Sequence, residues 1–560
     1  MQTDHRRLSA ALLILASIAS LALPQTPPAT GPRITPHIYA ITNARLVAQP
    51  GAVIERGTIV IRDGLITAVG ANVTAPADAR IIDGAGLTVY PGLIDACSTL
   101  GLPAPQPTPT PGSGPPATVA VQPVSPPAAA AGAPNSTRPV GFRPEILAAD
   151  LIRPGGEQIE AARSAGITAA LTAPRDGIFT GQSAFINLAG DTPQEMVIHS
   201  PVALHIGFTP LRGGTYPGSL MGVWAALRQM LLDAQRLGEA EQIYDRDPKG
   251  LRRPEYDRSV AALIPVVKRQ MPVVMYADTE REIRRALDFA QEFNLRAIIA
   301  GGTEAWRVTD RLRELKVPVL LSLNFPKRTT AAVPEADPEP LRILRGRVDA
   351  LKTAGRLAGA GVRFAFQSGA LTNMADFLGN VAKAVENGLS RDDALRALTI
   401  NAAEILGVSD RLGTLEAGKI ANLTVTRGDL FDRNRRISYV FIDGRPVDLR
   451  PPAAAAPGAA IATGTWTLKV ELGEVEADIT LTLQQEGPVL RGSMQGALGA
   501  GSISNASVGP AGEIRFTVPV TVGGQTTEAT FSGTITGNEM RGTVQVVGRS
   551  PGSFTGTKPQ

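Results

Sequence analysis

The segment Pro91–Leu102, PGLIDACSTLGL, is a short apolar strand that runs out into small and polar residues. Side chains alternate across a strand, so Cys97 and Thr99, two positions apart, face the same way at its carboxyl end. Cys97 is the only cysteine in the chain; no internal disulfide can form, and stability must come from packing. A cysteine thiolate can ligate zinc, but threonine is a poor ligand, and the two do not make a metal pair. As a nucleophile Cys97 needs an activating base, and the local sequence offers none. A small, inert, apolar cysteine is the commoner case. Asp95, just before the strand's end, reads as structural.

Downstream the chain alternates strands and helices. PVVMY (Pro272–Tyr276) is a β-rich run. Thr279 is placed to cap a helix through Phe293, with Ile283, Ala286, Leu287 and Ala290 on one apolar face. Ala297–Ala300 follows as a strand, and Thr303 is expected to cap the next helix, with Val308, Leu312 and Leu315 inward. Pro318–Ser322 and Val362–Phe366 are further buried-type strands. Ser390, with Asp393 as partner, caps a later helix that Gly407 stops. This rhythm over residues 91–406 implies a parallel sheet, and its length suits a TIM barrel. No phosphate-cradling glycine loop opens any helix, and there is no concentrated basic stripe, so nucleotide and nucleic-acid partners have no support.

Two β-rich stretches flank the barrel region, residues 38–90 and 407–448. Both carry Asp-Gly dipeptides suited to tight hairpins, at Asp63-Gly64, Asp83-Gly84 and Asp443-Gly444. Two such stretches around a long insertion read as one composite β domain. Residues 461–560 alternate apolar and polar residues in short runs such as WTLKVEL and EIRFTVPV, and predict a C-terminal all-β domain, barrel or sandwich. A lipocalin-like pocket there lacks aromatic support, and an accessory module is the plainer reading.

Two motifs carry a resemblance. VYPGLIDACSTLG resembles the strand that opens the barrel of the amidohydrolase superfamily, where PG-(F/L/I)-ID-x-H-x-H is usual. Gly388–Val425 resembles that family's closing helices and its return to the β domain. The resemblance covers about residues 38–448 and implies an α/β fold, a TIM-type (β/α)8 barrel with a split composite β-sandwich domain. It also implies hydrolysis of carbon–nitrogen bonds other than peptide bonds, by one or two divalent ions at the carboxyl ends of the strands. At the positions of the family's ligands this chain has Cys97 and Thr99, then Tyr276, Gly301-Gly302, and Gly369 after Ser368 where an aspartate is usual.

The chain has four histidines, and only His199 and His205 lie in the barrel region. On one extended strand they would be about 20 Å apart, too far to share a metal unless the chain turns between them. Asp278, Glu280 and Glu304 are placed to reach the barrel mouth, or to sit as acids at helix N-termini. The expectation is a pseudoenzyme that binds a small-molecule ligand or pairs with an intact amidohydrolase relative, with no cofactor; the superfamily includes members without metal ligands that act in structural or interaction roles. One alternative is a divergent enzyme using acids and His199 or His205 around one zinc or manganese, or no metal, with Asp278, Glu304 and Cys97 as catalytic candidates. Another is a scaffold for the C-terminal module. A homo-oligomer is compatible with either.

Arg6 and Arg7 ahead of the apolar run Leu8–Leu23 read as a signal peptide within residues 1–30, too short for a comfortable membrane span, so the chain is expected to be periplasmic or secreted. Residues 103–140, rich in Pro and Ala, and 449–460 read as a disordered excursion and a linker.

Overall fold

The computed structural model describes residues 38–103, 141–211, 215–326, 339–369, 371 and 373–449. Beyond these it describes 462–558 except 473–474, 487–488, 509–511, 523–524 and 547–551. The expectations for 1–30, 103–140 and 449–460 therefore fall almost wholly outside the described residues. The chain divides into two compact units, one ending at Leu449 and the other starting at Arg450.

In the first unit, β1 (Ile38–Gln49), β2 (Ala52–Arg62), β3 (Leu65–Gly70), β4 (Arg80–Asp83) and β5 (Leu87–Pro91) precede the barrel. The barrel region holds β6 (Leu93–Ser98), β7 (Ile167–Thr172), β8 (Phe179–Gln182), β9 (Ala184–Asn187) and β10 (Val197–His199). It continues with β11 (Leu204–Ile206), β12 (Val273–Ala277), β13 (Ala297–Gly301), β14 (Val319–Ser322) and β15 (Phe364–Gln367). After it come β16 (Leu423–Arg427), β17 (Arg436–Ile442) and β18 (Arg445–Pro446).

The flanking strands share one sheet in the order β18-β17-β16-β5-β1-β2-β3, with β4 beside β1. Asp63 and Gly64 have φ of 50° and 85°, and Asp443 and Gly444 have 51° and 72°, the positive pair that a type I′ turn requires. Asp83-Gly84 is not a hairpin, contrary to its composition. Strands β4 and β5 both run parallel to β1, at successive positions along it. Gly84 serves close approach instead: a Cβ there would lie 2.6 Å from that of Ala44.

The barrel has eight staves. β6 pairs in parallel with β7, and β11 to β15 pair in parallel one after another. The gap between β7 and β11 departs from the expected all-parallel sheet. There β8 and β9 run on from each other through Ser183 as a single stave, antiparallel to β11 on one side and to β7 on the other. A parallel crossover needs a dozen residues or more. Only Ala173–Ile178 connects β7 to β8, and its Pro-Arg-Asp-Gly run, with Gly177 at φ 103°, can only turn back.

Inside the barrel, Ile94, Leu171, Val274, Ile298, Leu320 and Ala365 form a packed apolar plug. Helices cover the outside. The helix Glu280–Glu292 starts on a capping box made by Thr279 and Glu282, and buries Ile283, Ala286, Leu287 and Ala290. Thr303 caps no helix; its hydroxyl donates to Asp278, a short 3-10 turn follows at Ala305–Arg307, and the α-helix begins at Thr309. Ser390 caps Arg391–Leu398 by accepting from the Asp393 N–H, and Gly407 ends the helical stretch at φ 72°. Among the described residues no helix is long and apolar enough to cross a membrane.

In the second unit the described residues form a nine-stranded antiparallel sheet that curls into a nearly closed barrel. Burial alternates strictly along Gly464–Leu472. The interior is filled by Trp466, Phe516, Phe531 and Phe554, each fully or almost fully buried.

Candidate functional site: the barrel mouth

At the carboxyl ends of the staves the apolar plug gives way to a polar floor. Leu204 and Ile206 pack outward against the helices, so His205 between them points inward, where its Nδ1 lies 2.8 Å from the Tyr276 hydroxyl. Tyr276 Oη is 3.8 Å from Cys97 Sγ. Over these sits Arg175, brought in by the turn that begins the antiparallel stave. Its Cζ stands 4.7 Å above the Tyr276 ring. Its Nη2 points at Gln367 Oε1, 3.4 Å away, and at Cys97 Sγ, 3.9 Å away. Gln367 is fixed in turn by donating to the Leu320 carbonyl at 2.7 Å.

Gly369 makes room for the guanidinium: a Cβ there would fall 1.6 Å from Arg175 Nη2. Below, the Ser368 backbone N–H donates to Asp95 Oδ1 at 2.9 Å and its hydroxyl donates to Oδ2. The Cys97 N–H also donates to Oδ1, at 3.3 Å. These bonds join β15 to β6 and help close the barrel.

Burial sets the charges. It pushes His205 down to about 3, helped by Arg175, so the imidazole is neutral. It pushes the Tyr276 hydroxyl well up and the Cys97 thiol up, against the pull of Arg175, so both are neutral. Arg175 stays charged. Burial also raises Asp95 to about 6, against its hydrogen bonds from Ser368 and Cys97.

An acid raised on folding holds its proton more tightly in the native state. The stability it contributes is full below its ordinary value of 3.8 and is lost as pH rises through about 6. Asp95→Asn keeps an acceptor for the backbone N–H groups and removes the ionisation. We expect wild type to lose up to about 3 kcal/mol relative to the variant between pH 4 and pH 7. Urea unfolding of both proteins at several pH values measures it, and parallel curves would contradict the assignment.

Above the floor opens a cavity of about 1450 Å³. One wall is apolar: the Phe208 and Trp224 rings stack at 4.4 Å with 22° between planes, beside Leu211 and Leu220. Another part of the lining comes from the turns after β12 and β13, with Asp278, Glu280 and Glu304. Asp278 accepts from the Thr303 hydroxyl at 2.9 Å, and Glu304 accepts from the Glu280 N–H at 2.8 Å.

The structure brings Cys97, Tyr276, His205 and Gly369 together, and sets Asp278 and Glu304 on the cavity wall above them. Thr99 is not with them; β6 ends at Ser98, and Thr99 is exposed one residue beyond. Gly301 packs against Asp278, and Gly302 against the Val319 side chain. His199 and His205 are not on one strand. His199 ends β10 and is exposed, the chain breaks at Pro201, and His205 starts anew in β11.

Sequence reasoning missed Arg175 and Gln367. The signal available for Arg175 was its place in Pro-Arg-Asp-Gly, a turn sequence directly after a barrel strand. Gln367 carried none.

The donors present do not fit the divalent ions of the related fold. Among the described residues no three His, Cys, Asp or Glu side chains converge. His205 Nδ1 is engaged by Tyr276, both Asp95 oxygens accept from Ser368, and a guanidinium lies against Cys97.

A (β/α)8-type barrel with polar groups at its strand ends, and a sheet drawn from both flanks, defines the class of fold. Residues 271–447 match the model of the amidohydrolase family. An amidohydrolase structure from Thermotoga maritima MSB8 is similar with TM-score 0.59 and 24% identity, over 74% of this chain and 100% of that one. A prolidase complexed with N-methylphosphonate-L-proline shares 19% identity over 74% of this chain and 100% of its own, with TM-score 0.43. A Xaa-Pro dipeptidase with bound methionine shares 17% over 73% and 100%, with TM-score 0.42. No curated protein sequence matches the chain. The first unit thus shares its fold with an amidohydrolase, and its residues 271–447 match that family's model.

Proposed function

We propose that the chain is an exported pseudoenzyme of the carbon–nitrogen hydrolase class, whose barrel mouth binds a small ligand without a metal ion. The observation that carries this reading is Arg175. Its permanent positive charge sits among Cys97, Tyr276 and Gln367, beside Gly369. A divalent cation there would face a fixed cation with few free donors. Without a metal there is no activated water and no polarised carbonyl, and the family's reaction loses its means.

The test is metal content. Protein purified with zinc and manganese in the medium is expected to retain well below about 0.1 equivalent per chain, and EDTA should leave its melting temperature unchanged. A panel of dipeptides, cyclic amides and imides should show no turnover. Zinc or manganese near one equivalent would overturn the reading.

One observation favours a second reading, a metal-independent hydrolase. His205 Nε2 is buried without a partner, next to a tyrosine that could relay a proton. Turnover that survives EDTA and is lost in Tyr276→Phe would establish it instead.

A further inference from the structure

Building on the metal-free reading, we infer that the mouth takes a small organic monocarboxylate with a flat apolar or aromatic body. The carboxylate sits on Arg175 and the body lies along Phe208 and Trp224.

The charge argument starts from what Arg175 lacks. Two other half-buried guanidiniums of this protein meet carboxylates, Arg347 on Glu339 and Arg356 on Asp349 at 2.8 Å, while Arg163 and Arg435 rest on the backbone carbonyls of Leu188 and Asp432. Arg175 has no described carboxylate within ion-pair distance. Its two hydrogen bonds, to Gln367 and Cys97, are long and go to neutral acceptors. Its Nε is buried with no partner among the described residues. A planar fork with an unused N–H matches a carboxylate, which accepts two parallel bonds. Asp95 forms no ion pair with it; its oxygens accept from Ser368 and the Cys97 N–H instead.

The rim sets the number of charges. Arg281, Arg284, Arg285 and Arg342 line the cavity, but so do Asp176, Asp278, Glu280, Glu282 and Glu304. With Arg175 included, five cations stand against five acids. The rim therefore offers no net attraction for a dianion, and acids close to the floor penalise a second negative charge. The guanidinium at the bottom, in no ion pair among the described residues and with Asp95 already below it, suits one negative charge rather than two.

The body follows from the wall. Phe208 and Trp224 are only partly buried, stacked, and line the cavity together with Leu211 and Leu220. A flat ring against that face gains both buried area and aromatic contact.

The test uses the full chain and three probes of similar size: phenylacetate, its neutral amide phenylacetamide, and phenyl phosphate. Titration calorimetry with and without EDTA gives the affinities. Phenylacetate is expected to bind at least about tenfold tighter than the amide, and phenyl phosphate no better than phenylacetate. Arg175→Gln should erase the gap between acid and amide, Arg175→Lys should restore part of it, and Trp224→Leu should weaken acid and amide alike. Equal affinity of acid and amide for the wild type, or a gap that persists in Arg175→Gln, overturns the inference. The wild-type comparison decides the matter even if Arg175→Gln fails to fold. Acid binding that EDTA abolishes, with metal bound beforehand, would instead sink the metal-free reading on which this rests.

Discussion

Gly369→Ala is expected to weaken phenylacetate binding by more than tenfold while leaving the fold intact. The new methyl carbon would lie 1.6 Å from Arg175 Nη2 and 2.8 Å from its Cζ. No such contact can persist, and the atom that must yield is the far end of a long flexible side chain. Arg175 swings away and the backbone stays. The stability change should stay within about 1 kcal/mol, since nothing buried and apolar is lost. Calorimetric titration and a thermal melt on the same sample separate the two effects. Unchanged binding would mean that the guanidinium does not act from this position.

The same geometry gives a physical reason for one departure from the pattern that the resemblance implies. The resemblance places an aspartate at position 369, and any Cβ there collides with the guanidinium. An aspartate at 369 and this pose of Arg175 exclude each other. Glycine at 369 is what lets the Arg175 guanidinium hold this position.

Phe531→Ala should have the largest effect on stability, confined to the second unit. Phe531 is fully buried, stacked on Phe516 at 4.8 Å and edge-on to Phe554 at 5.2 Å. Truncation of a buried phenylalanine costs about 3–5 kcal/mol through lost burial and the cavity left behind. A unit of this size has only about 5–15 kcal/mol in total. Its melting transition should fall on the order of 15 °C. The transition of the first unit should not move, because the two units have separate cores. Scanning calorimetry reads both. A joint shift of the two transitions would contradict that independence.

Much of the fold was legible because local signals and global pattern agreed. The Asp-Gly pairs at 63–64 and 443–444 sit in turns with both φ positive, and Thr279 with Glu282 caps its helix. PGLIDACSTLGL forms the opening strand, with Cys97 at its inner face. What misled was reading by rhythm alone. Alternation of strands and helices over a long span does not reveal one missing helix, so the antiparallel stave at Phe179–Asn187 was invisible. Its signature lay in a four-residue turn, and the decisive arginine lay in that turn. The spacing of His199 and His205 leaves open whether the chain turns between them, and they lie on separate strands, β10 and β11. Thr303 looked like a cap because a threonine before a helix usually is one; here Asp278 takes its hydroxyl. Asp83-Gly84 shows the same limit, since close packing on β1 rather than a hairpin requires that glycine.

The most direct test of the account is a crystal grown with zinc and manganese, with diffraction recorded above both absorption edges. No anomalous peak is expected at the barrel mouth, and guanidinium density for Arg175 is expected over the Tyr276 ring. A peak about 2.0–2.3 Å from Cys97 Sγ or a His205 nitrogen, with Arg175 turned out of the mouth, would contradict it.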